Sequence, residues 1–121
     1  MHTTKILVVD DEKEICEITR DYLEKKNYTC FCAYSGAEAM EFVQREHPHL
    51  VLLDVRLGSC SGLEVLPKIK KFDHKIKVIM VSGLGDEETI KEAKSKGADD
   101  FLTKPFTIGF LNELLKKKLS G

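Results

Sequence analysis

The sequence predicts an α/β fold, a doubly wound parallel sheet of five strands with helices on both faces, in a (βα)5 arrangement. Two observations predict it. Short apolar runs alternate with amphipathic stretches along the whole chain, joined by short links. Three of the runs, Ile6–Val9, Leu50–Leu53 and Val78–Val81, are apolar at every position, which suits strands covered on both faces.

Ile6–Val9 opens the sheet, and Ile15, Ile18, Tyr22 and Leu23 then recur at helical spacing as the buried stripe of a first helix. The second strand, Thr29–Ala33, is more polar, as an edge strand would be. Ser35 and Glu38 form a capping-box pair ahead of a second helix that buries Ala39, Met40 and Val43. After the third strand, Ser61 and Glu64 repeat that pair before Leu63, Val65 and Leu66. Pro67 comes late for a helix start, so this helix is expected to bend or to begin irregularly. After Val78–Val81, a fourth helix over Asp86–Lys96 closes at Gly97 and has little beyond Ile90 and Ala93 to bury. The fifth strand, Phe101–Thr103, reads as the other edge. Thr107 caps a last helix that places Leu111, Leu114, Leu115 and Leu119 on one side.

A length of 121 residues fits one domain spanning 1–121, and 42% hydrophobic with 32% charged residues is an ordinary globular composition. The net charge of −1 provides no global field toward nucleic acid or an anionic membrane, so neither is an expected partner. Cys16, Cys30, Cys32 and Cys60 lack paired zinc-site spacing and read as reduced cytosolic thiols, with Cys30 and Cys32 facing one side of their strand. The apolar run at the N-terminus is too short for a signal-peptide core, and a cytoplasmic location is expected. His2, His47, His49 and His74 are scattered over polar positions and read as solvated surface. Lys116–Lys118 suit the negative end of the last helix dipole.

In sheets of this kind, ligands sit outside the carboxyl ends of the strands. The first strand ends in Asp10 and Asp11, the third in Asp54, the fourth in Ser82 and Gly83, and the fifth in Lys104 and Pro105. Taken singly, each has a plain reading: Asp54 as a cap or turn residue, Asp10 or Asp11 as the cap of the first helix, Ser82 as a turn, Lys104 as an exposed strand end. Their coincidence at four strand ends points elsewhere. Three crowded carboxylates call for a counterion, and Mg²⁺ fits best, being content with one or two carboxylates plus waters and phosphate oxygens. With Lys104 as a second positive charge, such a rim is built to accept a phosphoryl group.

The segments ILVVDDE (Ile6–Glu12), LVLLDVRL (Leu50–Leu57), IMVSG (Ile79–Gly83) and KGADDFLTKPF (Lys96–Phe106), with Gly62, resemble the CheY-like response-regulator receiver domain of two-component signalling from Lys5 to about Leu119. The resemblance implies a flavodoxin-like three-layer sandwich with strand order 2-1-3-4-5. It implies that Asp54 accepts a phosphoryl group from a histidine kinase or a histidine phosphotransfer protein, in a Mg²⁺-dependent reaction of phosphorelay signal transduction. Asp11 and Asp54 would bind the metal directly, Asp10 through water, and the main-chain carbonyl of Arg56 would complete the protein ligands. Lys104, held by a cis peptide to Pro105, would pair with the phosphoryl oxygens. Ser82 and Phe101 would be the switch residues that change the face formed by the fourth helix, fifth strand and fifth helix. That face would act on a downstream effector or an output domain, with the chain a monomer or a phosphorylation-dependent dimer. Self-catalysed phosphotransfer and autodephosphorylation are implied, and an independent substrate is not.

The chain departs from the family at Gly58, where proline is common, inside a GSCSG loop (Gly58–Gly62) read as a loose connection. Gly83 stands where alanine is frequent, and Arg56 and Leu84 flank the approach to the phosphate. A phosphatase of the haloacid-dehalogenase type also uses a strand-end Asp with a hydroxyl and a Lys. Its D-x-D-x-T pattern fails here, because Glu12 and Glu14 fill the slots after Asp10. A flavodoxin-like FMN module fails on the acidic Asp10–Glu14 stretch where a phosphate loop would lie.

Overall fold

Successive side chains of a strand leave opposite faces of its sheet, so a strand apolar at every position must be covered twice. The computed structural model of the chain, which describes residues 3–83 and 85–120, satisfies that requirement. Strands β1 (Lys5–Val9), β2 (Thr29–Ala33), β3 (Leu50–Asp54), β4 (Lys77–Ser82) and β5 (Asp100–Thr103) alternate with helices α1 (Lys13–Lys25), α2 (Gly36–Glu46), α3 (Gly62–Phe72), α4 (Glu87–Ser95) and α5 (Ile108–Leu119). All strand pairs are parallel and run β2-β1-β3-β4-β5, the order the resemblance implied. On one face Leu7, Val9, Val51, Leu53, Val78 and Met80 pack with residues of α2, α3 and α4. On the other, Ile6, Val8, Leu50, Leu52, Ile79 and Val81 pack with α1 and α5. No helix among the described residues is long and apolar enough to cross a membrane.

Most helix ends follow the expected chemistry. Ser35 accepts the Glu38 N–H at 3.1 Å, Asp86 the Thr89 N–H at 2.7 Å and Thr107 the Phe110 N–H at 3.0 Å. The Ser35 box is lengthened by one residue, since the Glu38 carboxylate takes the N–H of Tyr34 rather than that of Ser35, at 2.7 Å. At α3, Ser61 accepts the Leu63 N–H at 3.1 Å, and the helix runs through Pro67 to Phe72. Neither Asp10 nor Asp11 caps α1, whose N-cap position is Glu12. Helix α4 buries Ala93 alone, as its sparse pattern predicted.

Helix α1 differs from its expected phase. Cys16, Thr19 and Leu23 are its buried residues, with Tyr22 packed beside them, while Ile15 is 36% and Ile18 65% exposed. The polar atoms that masked this stripe are satisfied inside it: Thr19 Oγ1 donates to the Ile15 carbonyl at 2.8 Å and Cys16 Sγ to the Val8 carbonyl at 3.3 Å. The GSCSG loop is also tighter than expected. The Leu57 N–H donates to the Cys60 carbonyl at 3.1 Å, Arg56 and Ser61 form an antiparallel bridge, and the Gly62 N–H donates to the Val55 carbonyl at 2.7 Å. A Cβ on Gly62 would lie 2.0 Å from the Asp54 carbonyl oxygen, so this close approach admits only glycine.

An ion pair fastens the sheet at the end remote from these loops. Lys70 Nζ on α3 donates to Asp99 Oδ2 and to the Ile76 carbonyl, both at 2.6 Å, and Asp99 Oδ2 also accepts the Val78 N–H at 2.8 Å. The Lys70 and Asp99 side chains are 16% and 23% exposed. Replacing Asp99 leaves a largely buried ammonium without its counter-ion and a β4 N–H without its acceptor. Asp99→Ala is expected to cost about 2–3 kcal/mol in the free energy of urea unfolding, within the range for losing one partner of a charged hydrogen bond.

Candidate functional site

The carboxyl ends of β1, β3, β4 and β5 share one rim, because parallel neighbours in register end together. Two central strands deliver carboxylates there. Asp10 follows β1 and is 4% exposed, and Asp54 ends β3 and is 8% exposed. Each turns one oxygen back on its own loop: Asp10 Oδ1 accepts the Glu12 N–H at 2.9 Å and Asp54 Oδ1 the Arg56 N–H at 3.1 Å. Their other oxygens face Lys104, whose Nζ lies 2.8 Å from Asp54 Oδ2 and 3.2 Å from Asp10 Oδ2. The peptide bond from Lys104 to Pro105 is cis.

The rim encloses an open cleft of about 390 Å³, and Asp11, Glu12, Asp54, Arg56, Ser82 and Lys104 contribute to its lining. Ser82, at the end of β4, is buried. Phe101 on β5 is half-buried against the α2–α4 side of the core, paired in register with Met80. Arg56 extends from the β3–α3 turn into the cleft wall. Gly83 has open space where a Cβ would be, so sterics do not require glycine there. Leu84, expected to flank the approach, and His2 lie outside the described residues.

Burial pushes the Asp54 carboxyl above the usual range, and the Asp10 charge adds to this. The hydrogen bonds from Lys104 and the Arg56 N–H, with the Lys104 charge, oppose the rise without cancelling it. For Lys104 burial acts downward, but the hydrogen bond and charge of Asp54, joined by Asp10, outweigh it and hold the ammonium above its ordinary value. The lysine therefore stays charged beside two buried carboxyl groups.

Asp10, Asp11 and Glu12 bring carboxylate oxygens within 4.8 Å of one another, a hard oxygen donor set that fits a cation such as Mg²⁺. Glu12 was not among the expected metal residues. Its place in the acidic ILVVDDE run was the available signal. Asp54, expected as a direct ligand, lies outside that trio and is linked to its Asp10 by the shared Lys104 ammonium.

A family profile for the response regulator receiver domain matches residues 6–116. The chain is 36% identical over 119 residues to sporulation initiation phosphotransferase F of Bacillus subtilis (strain 168), covering 98% of this chain and 96% of that one. Among solved structures, a CheY-like response regulator receiver domain protein from Methanospirillum hungatei JF-1 superimposes with a TM-score of 0.95 at 32% identity, over 98% of this chain and 95% of that chain. NtrX from Brucella abortus, solved with ADP, matches with a TM-score of 0.91 at 33% identity, over 98% of this chain but 27% of that one.

A carboxyl whose folded-state pKa is raised stabilises the fold below its unfolded value, and that contribution is lost as pH rises through the folded value. At neutral pH without metal, the Asp54 charge is therefore a net cost. Asp54→Asn is expected to raise the urea midpoint over wild type in neutral buffer with chelator, with the gap closing as the medium is acidified through the carboxylate range. An unchanged gap across that titration would show that Asp54 burial is not its source.

Proposed function

The chain belongs to the response regulator receiver domain family, and from that premise we propose that it is a phosphorylation switch whose acceptor is Asp54. The observation that carries this reading is Lys104 Nζ at 2.8 Å from Asp54 Oδ2 and 3.2 Å from Asp10 Oδ2, at the mouth of a cleft large enough for a phosphoryl group. A carboxylate oxygen of Asp54 attacks the phosphorus of the donor, the bond from phosphorus to the donor breaks, and an acyl phosphate remains on Asp54. A histidine kinase or histidine phosphotransfer protein is the donor this reading requires.

Each nearby group then has a task. Lys104 transfers its ammonium from the carboxylate to the phosphoryl oxygens, where the added charge is concentrated. The Arg56 N–H orients Asp54 by holding Oδ1. Asp10, Asp11 and Asp54, with the main-chain carbonyl of Arg56 and with Glu12 close by, would hold Mg²⁺. When bound, the ion would supply positive charge that offsets the crowded carboxylates and the incoming phosphoryl charge. Ser82 turns its hydroxyl to the new acceptor oxygens, and Phe101 moves into the space this opens. Charge-assisted hydrogen bonds are worth about 1.5–3 kcal/mol each, enough to reverse a two-state balance of the same size.

Two surfaces suit the partners of such a switch. Ile15 and Ile18 stand exposed on α1, one to two turns from the acidic rim, where a phosphodonor must approach. Phe110 on α5 is 59% exposed beside Pro105 and Phe106, on the face formed by α4, β5 and α5, which we assign to the downstream effector or output domain.

The test is intact mass after incubation with Mg²⁺ and acetyl phosphate. Wild type is expected to gain one phosphoryl group, and Asp54→Asn none; an adduct on the variant would reject Asp54 as acceptor. Chelator is expected to prevent the gain. Lys104→Met should slow it by about 100-fold, the usual loss for one preorganised charge-stabilising donor. If Arg56 reaches the phosphoryl group, the lifetime of phospho-Asp54 in Arg56→Ala will differ several-fold from wild type, and equal lifetimes would exclude that contact.

A further inference from the structure

Three cysteines on the α1 side of the sheet have no part in phosphotransfer. Cys16 lies on α1, and Cys30 and Cys32 on β2, where strand alternation turns both sulfurs to the same face. All three pack in one apolar cluster. Cys16 is fully buried, its Sγ 3.3 Å from the Val8 carbonyl oxygen and 3.9 Å from that of Ala33. Val8 is the cross-strand register partner of Cys32, and Ala33 is the residue that follows it. The Cys16 sulfur thus sits over the short piece of backbone that carries Cys32, the strand neighbour whose side chain leaves the same face. Cys30 faces the same way but lies about 6.6 Å further down the strand. Cys32 is half-buried on an edge strand, so small molecules reach it more readily than Cys16.

We propose that Cys16 and Cys32 form a reversible dithiol–disulfide pair, oxidised by a peroxide, with Cys32 as the attacking sulfur and Cys16 as the resolving one. The charge distribution agrees with that division. Its contact with Cys16, and then the Arg20 charge, hold the Cys32 thiol below the ordinary range against its partial burial. Cys16 is pushed far upward by the same contact and by burial, and burial pushes Cys30 up to about 12. The thiolate, the form that reacts, therefore collects on the accessible member of the pair.

The chemistry balances in two steps. The Cys32 thiolate attacks one peroxide oxygen: an S–O bond forms, the O–O bond breaks, and the departing hydroxide takes up a proton and leaves as water. The Cys16 sulfur then attacks the sulfenic sulfur of Cys32: the S–S bond forms, the S–O bond breaks, and a second water leaves with the Cys16 proton. Two thiols are oxidised and one peroxide is reduced to two waters. The product ties α1 to β2 on the side of the sheet opposite the β3–α3 turn, and a thiol reductant reverses it.

The experiment uses the full chain in its native fold, treated with hydrogen peroxide, alkylated under denaturing conditions, digested and mapped by mass spectrometry. A peptide pair linked through Cys16 and Cys32 is expected, lighter than its two thiols by about 2 Da, with Cys30 and Cys60 recovered alkylated. Dithiothreitol should restore both thiols. Cys30→Ala should keep the link, and Cys32→Ala should leave Cys16 alkylatable. Any wild-type product in which Cys16 remains alkylatable overturns the pairing, whether Cys32 has gone on to sulfinic acid, joined Cys30 or linked to a second chain. Because the link is read in the wild-type chain, the result does not depend on a buried-cysteine variant folding.

Discussion

Burial of the central strands on both faces is the constraint from which the rest follows. With Leu7, Val9, Leu53 and Met80 on one side and Ile6, Val8, Leu52 and Ile79 on the other, β1, β3 and β4 have no room for a charged side chain between their end residues. In a parallel sheet these strands end at the same edge, so the polar residues that terminate them gather there. The acidic rim is a consequence of topology, and no local motif needs to hold Asp10, Asp54 and Lys104 together.

The gathering has an electrostatic cost that the fold meets with one side chain. Asp10 and Asp54 each commit one oxygen to a backbone N–H of the following loop, which sets their direction and leaves the other oxygen facing a like charge. Lys104 sits between those oxygens. The burial that lifts Asp54 above the usual carboxylate range also makes the lysine contact stronger than it would be in water. Like charges held this close form an arrangement that a second positive group would stabilise. The tight β3–α3 turn keeps it from relaxing: Gly62 packs directly against the Asp54 carbonyl, and Gly58, at φ +75°, passes close to Asp11, where an added Cβ would lie 3.5 Å from Oδ2. Proline cannot adopt that φ, so at this position glycine accompanies a turn different from the one proline would shape.

Legibility in the sequence tracked the range of the interactions involved. Unbroken apolar runs mark β1, β3 and β4 without ambiguity, and local caps such as Thr107 and Asp86 sit where side-chain and backbone chemistry place them. Asp10, Asp54 and Ser82 were readable as neighbours because they stand at the ends of those same strands, and Lys104 because it follows β5 at the same edge. Besides the phase of α1, three features were not. The Lys70–Asp99 clamp joins α3 to the start of β5 across 29 residues, and nothing local marks either partner. The GSCSG loop looks loose by composition, yet backbone bonds that composition does not encode close it. Glu12 completes an acidic trio that depends on how the chain turns into α1.

The misplaced face of α1 carries the most instructive physics. Apolar periodicity counts Ile15 and Ile18 as core because it scores side chains by type, whereas the helix buries Cys16 and Thr19, whose polar atoms are satisfied by carbonyls at 3.3 and 2.8 Å. A small thiol or hydroxyl that bonds to a nearby carbonyl packs more closely against a sheet than a branched aliphatic chain does. That lets α1 lie down on β1 and β2 and turns its two isoleucines outward. One rotation of the helix therefore has two results: apolar side chains are presented next to the acidic rim, and Cys16 is brought onto the strand that carries Cys32. Both the exposed patch and the thiol pair follow from satisfied hydrogen bonds, which periodicity alone does not register.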